Sequence, residues 1–384
     1  MIANGLEPHT FNDLLSFALS SIESTPPREI PIPAKLALLE ATQLLLSGKN
    51  INVNANLLLQ TLYKIATINP FDDLIQISLT CEGINQLQEF RELRNRIAIA
   101  YNIQGNAFYQ QGHIEQAAIH YQKALQIGEH LSPSDLLGIY FNAGMAWFVQ
   151  GQPEKAQQIF QQALQIQPNL IQVQQMLVRV NYQLETKRAG YKFSQDWFSR
   201  NLGIWQENLM PFSNQPNLNI LEIGSWEGRS TCWLLNNILT HPSSRITCID
   251  TFEGGGGTPL EARDGRESIE AQFDFNIALT ESAEKVTKLV NKSRAALRLL
   301  PFNSFDIIYI DGSHLACDVL EDTLLSWGLL KIRGLIIFDD YDHVFRELPN
   351  QNTKIGIDAF MASFCNKIQL IHQSHQIIIK KMED

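Results

Sequence analysis

The sequence predicts an α-helical repeat domain over residues 1–185, followed over 186–384 by an α/β domain: a doubly wound parallel sheet with an antiparallel last strand. Three observations carry this. Residues 11 to about 185 hold only helical patterns, and part of that stretch matches itself at a fixed interval. From Asn219 on, short near-continuous apolar runs alternate with helical patterns, as a parallel sheet covered on both faces requires. The last two runs, Ile368–His372 and Gln376–Ile379, are separated by three residues, room for a hairpin but not for a crossover helix.

The 384 residues suffice for two domains with ample cores. A net charge of −10 with 18% charged residues leaves no basic footprint for nucleic acid. Asn4, Glu7, Asn12 and Asp13 occupy positions where a signal peptide needs a basic head and an apolar run. No apolar stretch approaches the length of a membrane helix, so neither nucleic acid nor membrane is an expected partner. Five cysteines (Cys81, Cys232, Cys248, Cys317, Cys365) are scattered without a C-x-x-C pair, four of them in apolar surroundings. Reduced, buried thiols in a cytoplasmic protein are the expectation.

The self-match joins Tyr101–Ile127 to Tyr140–Ile166. Gly105 aligns with Gly144, Phe108 with Trp147, Gly112 with Gly151, Ala117 with Ala156, Tyr121 with Phe160 and Ala124 with Ala163. Small residues and aromatics at fixed places in paired helices resemble the tetratricopeptide repeat, with Pro168 closing the second copy. The period of 39 residues, from Gly105 to Gly144, exceeds that family's roughly 34, and the excess lies around Ser132, Pro133 and Ser134. Ala41, Leu44, Gly48, Leu58, Leu62, Ile65 and Pro70 read as a degenerate upstream copy. Such a domain is a platform for a protein partner, for self-association or for presenting a substrate, and carries no chemistry of its own. A junction follows, in which Trp197, Phe198 and Trp205 belong to an amphipathic segment before Pro211, with its aromatics expected against the sheet.

Strands are expected at Ile220–Ile223, Ile246–Ile249, Val286–Val290, Phe305–Ile310 and Leu335–Phe338. Helices are expected at about Thr231–Leu239, Ser268–Leu279, Ala295–Leu299, Leu315–Trp327 and Ile355–Phe364. The decisive stretch is Asn219–Leu235, NILEIGSWEGRSTCWLL, a strand, a glycine turn and a helix start. A dinucleotide fingerprint needs a second glycine where Trp226 stands, because a pyrophosphate must approach the backbone there. Glu222 would repel phosphate and attract an ammonium group. The turn therefore suits a zwitterion, with its ammonium near Glu222 and its carboxylate near the helix start and Ser230, and S-adenosylmethionine fits.

Other strand ends deliver polar groups to the same edge. Asp250 ends RITCID, where a carboxylate can accept from both ribose hydroxyls. Asp311-Gly-Ser-His314 ends the Phe305–Ile310 run, and Asp339-Asp340-Tyr341 ends the next. Each group has a structural reading as well: Asp-Gly is a common turn, either of Asp339 and Asp340 can cap, and His314 can sit at a helix start. Together, three carboxylates at neighbouring strand ends repel one another unless a cation or protons intervene. Oxygen ligands without a nearby cysteine favour magnesium, with manganese or calcium as alternatives. The glycine run Gly254–Gly257 before Thr258 and Pro259 has the composition of a closing lid or of a plain surface loop.

Residues from about Phe193 to Lys381 resemble the class I S-adenosylmethionine-dependent methyltransferases, in particular the metal-dependent O-methyltransferases of the catechol and macrocin type. The segments that carry the likeness are LEIGSWEGRST, CIDTFEGG, VTKLVNKSRAALRLLP, FDIIYIDGSH, GLLKIRGLIIFDDY and KIGIDAFMASF. The resemblance implies a Rossmann-like sheet in which Glu222, Gly224, Ser225, Gly228 and Ser230 hold the methionine part of the cofactor. It assigns Asp250 to the ribose and Ser293 to the adenine edge. Asp311, Asp339 and Asp340 are implied as metal ligands, with Asp311 also among the cofactor contacts. Catechol-type relatives have a lysine as general base three residues after the first metal aspartate; here that place is held by His314, as in the macrolide-sugar enzymes. An imidazole is partly unprotonated near neutrality and suits the task. A further departure is Ile332-Arg333-Gly334-Leu335, where many relatives have a glycine pair, and an altered turn is expected there. The implied reaction is methyl transfer to a hydroxyl of a small molecule or glycan. A metal-independent transferase and a non-catalytic repeat protein with an adenosyl-binding module are the competing readings, separable by chelator and by an acceptor screen.

Overall fold

Helices open the chain because its apolar residues recur at helical spacing, and small residues set how closely the helices pack. A computed structural model describes residues 10–23, 54–68, 88–128, 131–254, 268–345 and 348–384, with isolated positions between 30 and 41. The chain divides into two units, Met1–Asn181 and Tyr182–Asp384. In the first, α1 (Phe11–Glu23) and α2 (Ala55–Ile68) precede two helical hairpins. One pairs α3 (Gln88–Gln110) with α4 (Ile114–Ile127), the other α5 (Pro133–Val149) with α6 (Pro153–Ile166). Helix α7 (Ile171–Ala189) follows.

The two hairpins repeat each other closely. A Cβ on Gly105 would overlap the Tyr121 ring, and one on Gly144 would overlap the Phe160 ring. Glycine at both places lets an aromatic of the second helix lie against the backbone of the first. Gly112 and Gly151 take φ of 80° and 69° in the turns. The next residue of each turn donates its N–H to an equivalent carbonyl, His113 to Phe108 at 2.9 Å and Gln152 to Trp147 at 3.0 Å. The residues that lengthen the period form a cap: the Ser132 hydroxyl accepts from the Asp135 N–H at 3.1 Å, and Pro133 starts α5. Of the upstream copy, Ala41, Leu58, Leu62 and Ile65 are buried in one apolar cluster with Leu93 and Ile97. Leu44, Gly48, Pro70 and Cys81 lie outside the described residues.

In the second unit, α8 (Leu202–Leu209) precedes β1 (Asn219–Ile223), α9 (Arg229–Asn237), β2 (Arg245–Asp250), α10 (Ile269–Leu279) and β3 (Val286–Val290). The single-turn α11 (Ser293–Ala296), β4 (Phe305–Ile310), α12 (Ala316–Trp327), β5 (Leu330–Phe338) and α13 (Thr353–Ser363) follow. The hairpin of β6 (Ile368–Gln373) and β7 (Ile377–Lys381) closes the chain. The sheet order is β3-β2-β1-β4-β5-β7-β6, with β7 antiparallel to both its neighbours. Ile220, Leu221, Ile307, Ile308, Ile336 and Ile337 are at most 1% exposed, the doubly covered interior that the continuous apolar runs predicted. No described helix is long and apolar enough to cross a membrane.

The structure differs from expectation at three places. Strand β5 begins at Leu330, five residues early, because Ile332–Leu335 form a bulge inside the strand in place of a turn before it. Arg333 takes φ of 71°, and a Cβ on Gly334 would lie 2.8 Å from the Asp306 carbonyl oxygen, so the bulge needs a glycine at 334. In the junction Phe198 and Trp205 pack inward, but Trp197 is 62% exposed. Cys232 and Cys248 are buried free thiols, whereas Cys317 and Cys365 are exposed, at the first turn of α12 and just past α13.

Two glycines of α5 test the packing argument. Gly144→Ala should destabilise the repeats by about 1–3 kcal/mol through overpacking on Phe160. Gly138, with open space around its Cβ position, should gain about 0.5–1 kcal/mol on replacement by Ala. Urea unfolding of the two variants, followed by hydrogen exchange in α5 and α6, reads the opposite signs.

Candidate active site

The strand order reverses between β1 and β4, so the crevice outside their carboxyl ends is the topological switch point where ligands of such sheets bind. The two strand ends meet there without room for a side chain. Gly224 takes φ of 87°, and a Cβ on it would overlap the Asp311 carbonyl. The Asp311 N–H donates to the Ile223 carbonyl at 2.8 Å, which locks the glycine turn to the acidic strand end.

The turn rests on two carboxylates. Glu222 is fully buried and accepts from the hydroxyls of Ser230 (2.5 Å), Ser225 (3.0 Å) and Thr231. Burial pushes its pKa up, against the pull of those hydroxyls. Glu222 thus lies beneath the turn, and the two serine hydroxyls point down to it. Asp250 accepts the N–H groups of Ser225 and Trp226 on Oδ2, both at 2.8 Å, and that of Phe252 on Oδ1 at 2.7 Å. Trp226 and Phe252 have φ of 48° and 55°, a left-handed backbone that costs about 1–2 kcal/mol per residue and that these charge-assisted bonds offset. Three of the carboxylate's four lone-pair sites are taken, which leaves one open on Oδ1. Gly228, with φ of 80°, starts α9.

Asp250 pairs with Val290 in the sheet, which brings β3 and the following Ser293 to the same edge. The Ser293 hydroxyl is bonded to the buried carboxyl of Asp322 on α12. Asp322 also lies beside Gly312, linking the Ser293 turn to the end of β4.

The acidic strand ends form a network. The Tyr309 hydroxyl contacts Asp311 Oδ2 at 2.8 Å and also Asp339 Oδ2. One phenolic proton serves two carboxyls, so the second contact needs a proton on a carboxyl. Burial first, then Asp339 and Asp340, holds the Asp311 pKa well above the usual carboxylate range. Asp339 is 6% exposed and accepts also from Asn201 (2.9 Å), Gln376 (3.1 Å) and the Asp340 N–H (2.8 Å). Asp340, with φ of 52°, points its Oδ1 at Arg200 Nη2 (2.5 Å) and its Oδ2 at His314 Nδ1 (3.4 Å). The His314 ring lies 5.1 Å from that of His343, and burial outweighs the acids in lowering its pKa.

Ligand atoms of Asp311, His314 and Asp340 lie within 4.8 Å of one another. Two carboxylates and an imidazole fit a hard divalent cation. Asp339, expected as a third acidic ligand, lies beside that trio with its carboxylate hydrogen-bonded to the surrounding donors. Arg200, Asn201, Gln376 and Tyr309 were not singled out in the sequence. Of the glycine run, Gly254 has φ of 106° and residues 255–259 lie outside the described residues.

Asp322 supplies a test by pH. Burial raises its pKa to about 6, so the folded chain is favoured while the carboxyl is protonated and loses that advantage as pH rises through about 6. Asp322→Asn should be more stable than the parent at pH 8 by about 1–3 kcal/mol. The difference should shrink as pH falls toward 4, which thermal unfolding across that range reads directly.

Residues 221–341 match a family model described as a methyltransferase domain, and residues 98–130 and 138–170 match the tetratricopeptide repeat. No curated protein matches the chain. Among solved structures, the chain is similar to an O-methyltransferase from Bacillus cereus in complex with S-adenosylhomocysteine (15% identity, 54% of this chain and 90% of that one, TM-score 0.37). It is similar also to the O-methyltransferase NovP (20% identity, 46% and 79%, TM-score 0.33). A third likeness is to the MycE methyltransferase of the mycinamycin biosynthetic pathway, in complex with magnesium and S-adenosylhomocysteine (13% identity, 58% and 61%, TM-score 0.36). The glycine turn and the acidic strand ends behind it fall within the segment the methyltransferase model matches, and most of the two repeated hairpins falls within the tetratricopeptide matches, so the chain carries a methyltransferase domain behind tetratricopeptide repeats.

Proposed function

We propose that this transferase moves the methyl group to a hydroxyl of a small molecule or glycan, with a divalent metal and with His314 as general base. The repeat domain is drawn at 1–185 and the catalytic domain at 186–384. The observation that carries the reading is the convergence, at one switch point, of the Gly224–Gly228 turn, Asp250, the Asp311–His314 strand end and Asp339-Asp340.

Gly224, Ser225, Gly228 and Ser230 shape the bed for the methionine part, and Glu222 holds that bed from below. Asp250 faces the ribose, Ser293 the adenine edge and Asp311 the sulfonium end. Asp311, Asp339 and Asp340 supply the acidic set for magnesium, joined by the His314 imidazole at its rim. A divalent ion bound there would lower the pKa of a chelated hydroxyl and fix its position. His314 directs Nδ1 toward Asp340, which leaves Nε2 as the basic nitrogen. Its lowered pKa keeps it neutral near pH 7 and ready to accept a proton. The acceptor oxygen gives that proton to His314 and bonds to the methyl carbon while the carbon–sulfur bond breaks, leaving S-adenosylhomocysteine. The walls contribute mainly orientation. The repeats are assigned to a protein partner or to self-association. The buried free thiols of Cys232 and Cys248 suit a reducing compartment, and on that ground the cytoplasm is proposed.

A metal-independent transferase is the second reading, favoured by Arg200 and Tyr309, which already offset part of the acid charge.

Calorimetric titration with S-adenosylhomocysteine should show binding that Asp250→Ala abolishes in a protein still folded by circular dichroism. Catechol binding to that complex should require magnesium and be reversed by chelator; transfer that survives chelator selects the second reading. His314→Gln should lower kcat by about 100- to 10,000-fold while S-adenosylhomocysteine affinity stays within about threefold. A folded protein that binds no S-adenosylhomocysteine overturns the proposal.

A further inference from the structure

We infer that residues 196–201 select the acceptor, and that they favour a hydroxylated ring bearing a carboxylate. The inference rests on the function proposed above and names its substrate class.

The segment is a short, fixed turn. Asp196 accepts from the Ser199 N–H (2.9 Å) and hydroxyl (2.7 Å), which closes the turn. Phe198 is 5% exposed and wedged among Trp205, Tyr182 and Trp233, with ring centroids 4.8, 5.9 and 6.1 Å away. Asn201 is fully buried between Asp339 (2.9 Å) and His375 (2.7 Å). Two side chains are left outward. Trp197 lies 5.3 Å from Trp226, a residue of the cofactor turn. Arg200 reaches Asp340, at the acid cluster. One turn thus touches both places between which a methyl group must pass, and an acceptor oxygen held between them lies beside it.

The chemistry of those two side chains defines what fits. An exposed indole offers a flat apolar face to a ring. Arg200 engages Asp340 through Nη2, and its Nε and Nη1 make no hydrogen bond among the described residues. Its side chain is 40% exposed, so a planar donor fork remains available at the mouth of the site. Asp339, Asp340 and Asp342 would repel an acidic acceptor, and Arg200, which interacts with all three, is the cation that offsets part of this repulsion. An acceptor carboxylate on the open edge of the fork would gain a charge-assisted, partly bidentate contact.

The test uses the full chain with S-adenosylhomocysteine and magnesium, titrated calorimetrically with 3,4-dihydroxybenzoate and with catechol. The parent should bind the acid about tenfold more tightly, as one such contact near the surface implies. Arg200→Gln should bring the ratio of the two affinities to one or below, and Arg200→Lys should keep part of it. Trp197→Ala should weaken both acceptors by a similar factor and leave the ratio in place. With S-adenosylmethionine, the ratio of kcat/KM values should follow, through KM. A ratio near one in the parent, or one that Arg200→Gln leaves unchanged, overturns the inference while transfer to catechol upholds the function. Binding of neither acceptor by a protein that still binds S-adenosylhomocysteine overturns the inference alone, whereas loss of S-adenosylhomocysteine binding overturns the function as well.

Discussion

Carboxylates that end neighbouring strands of an apolar sheet repel one another, and much of the catalytic unit is arranged around offsetting that repulsion. Tyr309 stands between Asp311 and Asp339, its hydroxyl hydrogen-bonded to both. Asn201 and Gln376 complete the shell of Asp339, and Gln376 is itself oriented by the indole N–H of Trp205 at 3.1 Å. Trp205 is fully buried, edge-on to Tyr309 at 4.9 Å and to Trp233 at 5.5 Å. The aromatic core and the acidic site are therefore one packing problem. The rings fix the amides and the phenol, and these fix the carboxylates.

A second constraint is close approach of backbones, which glycine alone permits. Gly224 lets the β1 turn touch the end of β4, and Gly356 does the same on α13, where a Cβ would overlap the Ala316 carbonyl. That contact seats α13 on the start of α12, and the Thr353 hydroxyl then donates to the His314 carbonyl at 2.9 Å. The segment carrying the proposed base is thus tied down by a helix far along the chain. The same device sets the repeats, at Gly105 and Gly144, where the neighbour is an aromatic ring.

What could be read without coordinates was whatever repeats locally. The two hairpins, the alternating strands and helices and the closing β6–β7 hairpin announce themselves through spacing, and the apolar runs ending in Asp250, Asp311 and Asp339 mark one edge of the sheet. What stayed hidden depends on direction or on distance along the chain. Nothing in NILEIGSWEGRST states that the Ser225 and Ser230 hydroxyls turn down onto Glu222, which closes that carboxylate off from the ammonium group it was expected to meet. Arg200 and Asn201 meet Asp340 and Asp339 across 140 and 138 residues, and in an amphipathic segment both read as surface. Trp197 was expected inside because aromatics on such segments usually pack, but Phe198 takes the inward position and adjacent residues of a tight turn face apart. The single glycine at Gly334 read as a turn; the exposed Arg333 takes the left-handed backbone, and the strand continues through a bulge.

Asp340 shows how these constraints combine. Its left-handed backbone is a conformation that a non-glycine residue adopts at some cost, and here its own N–H is bonded to Asp339 Oδ1 at 2.8 Å. That bond turns the side chain away from the buried pair and aims its two oxygens in different directions. One faces the Arg200 guanidinium and the other the His314 imidazole. A carboxylate placed this way orients the imidazole and holds the arginine with the same charge. The residue that would recognise the acceptor and the residue that would deprotonate it are consequently registered to each other through one aspartate, whose own position is set by the buried Asp339 and the aromatic core beneath it.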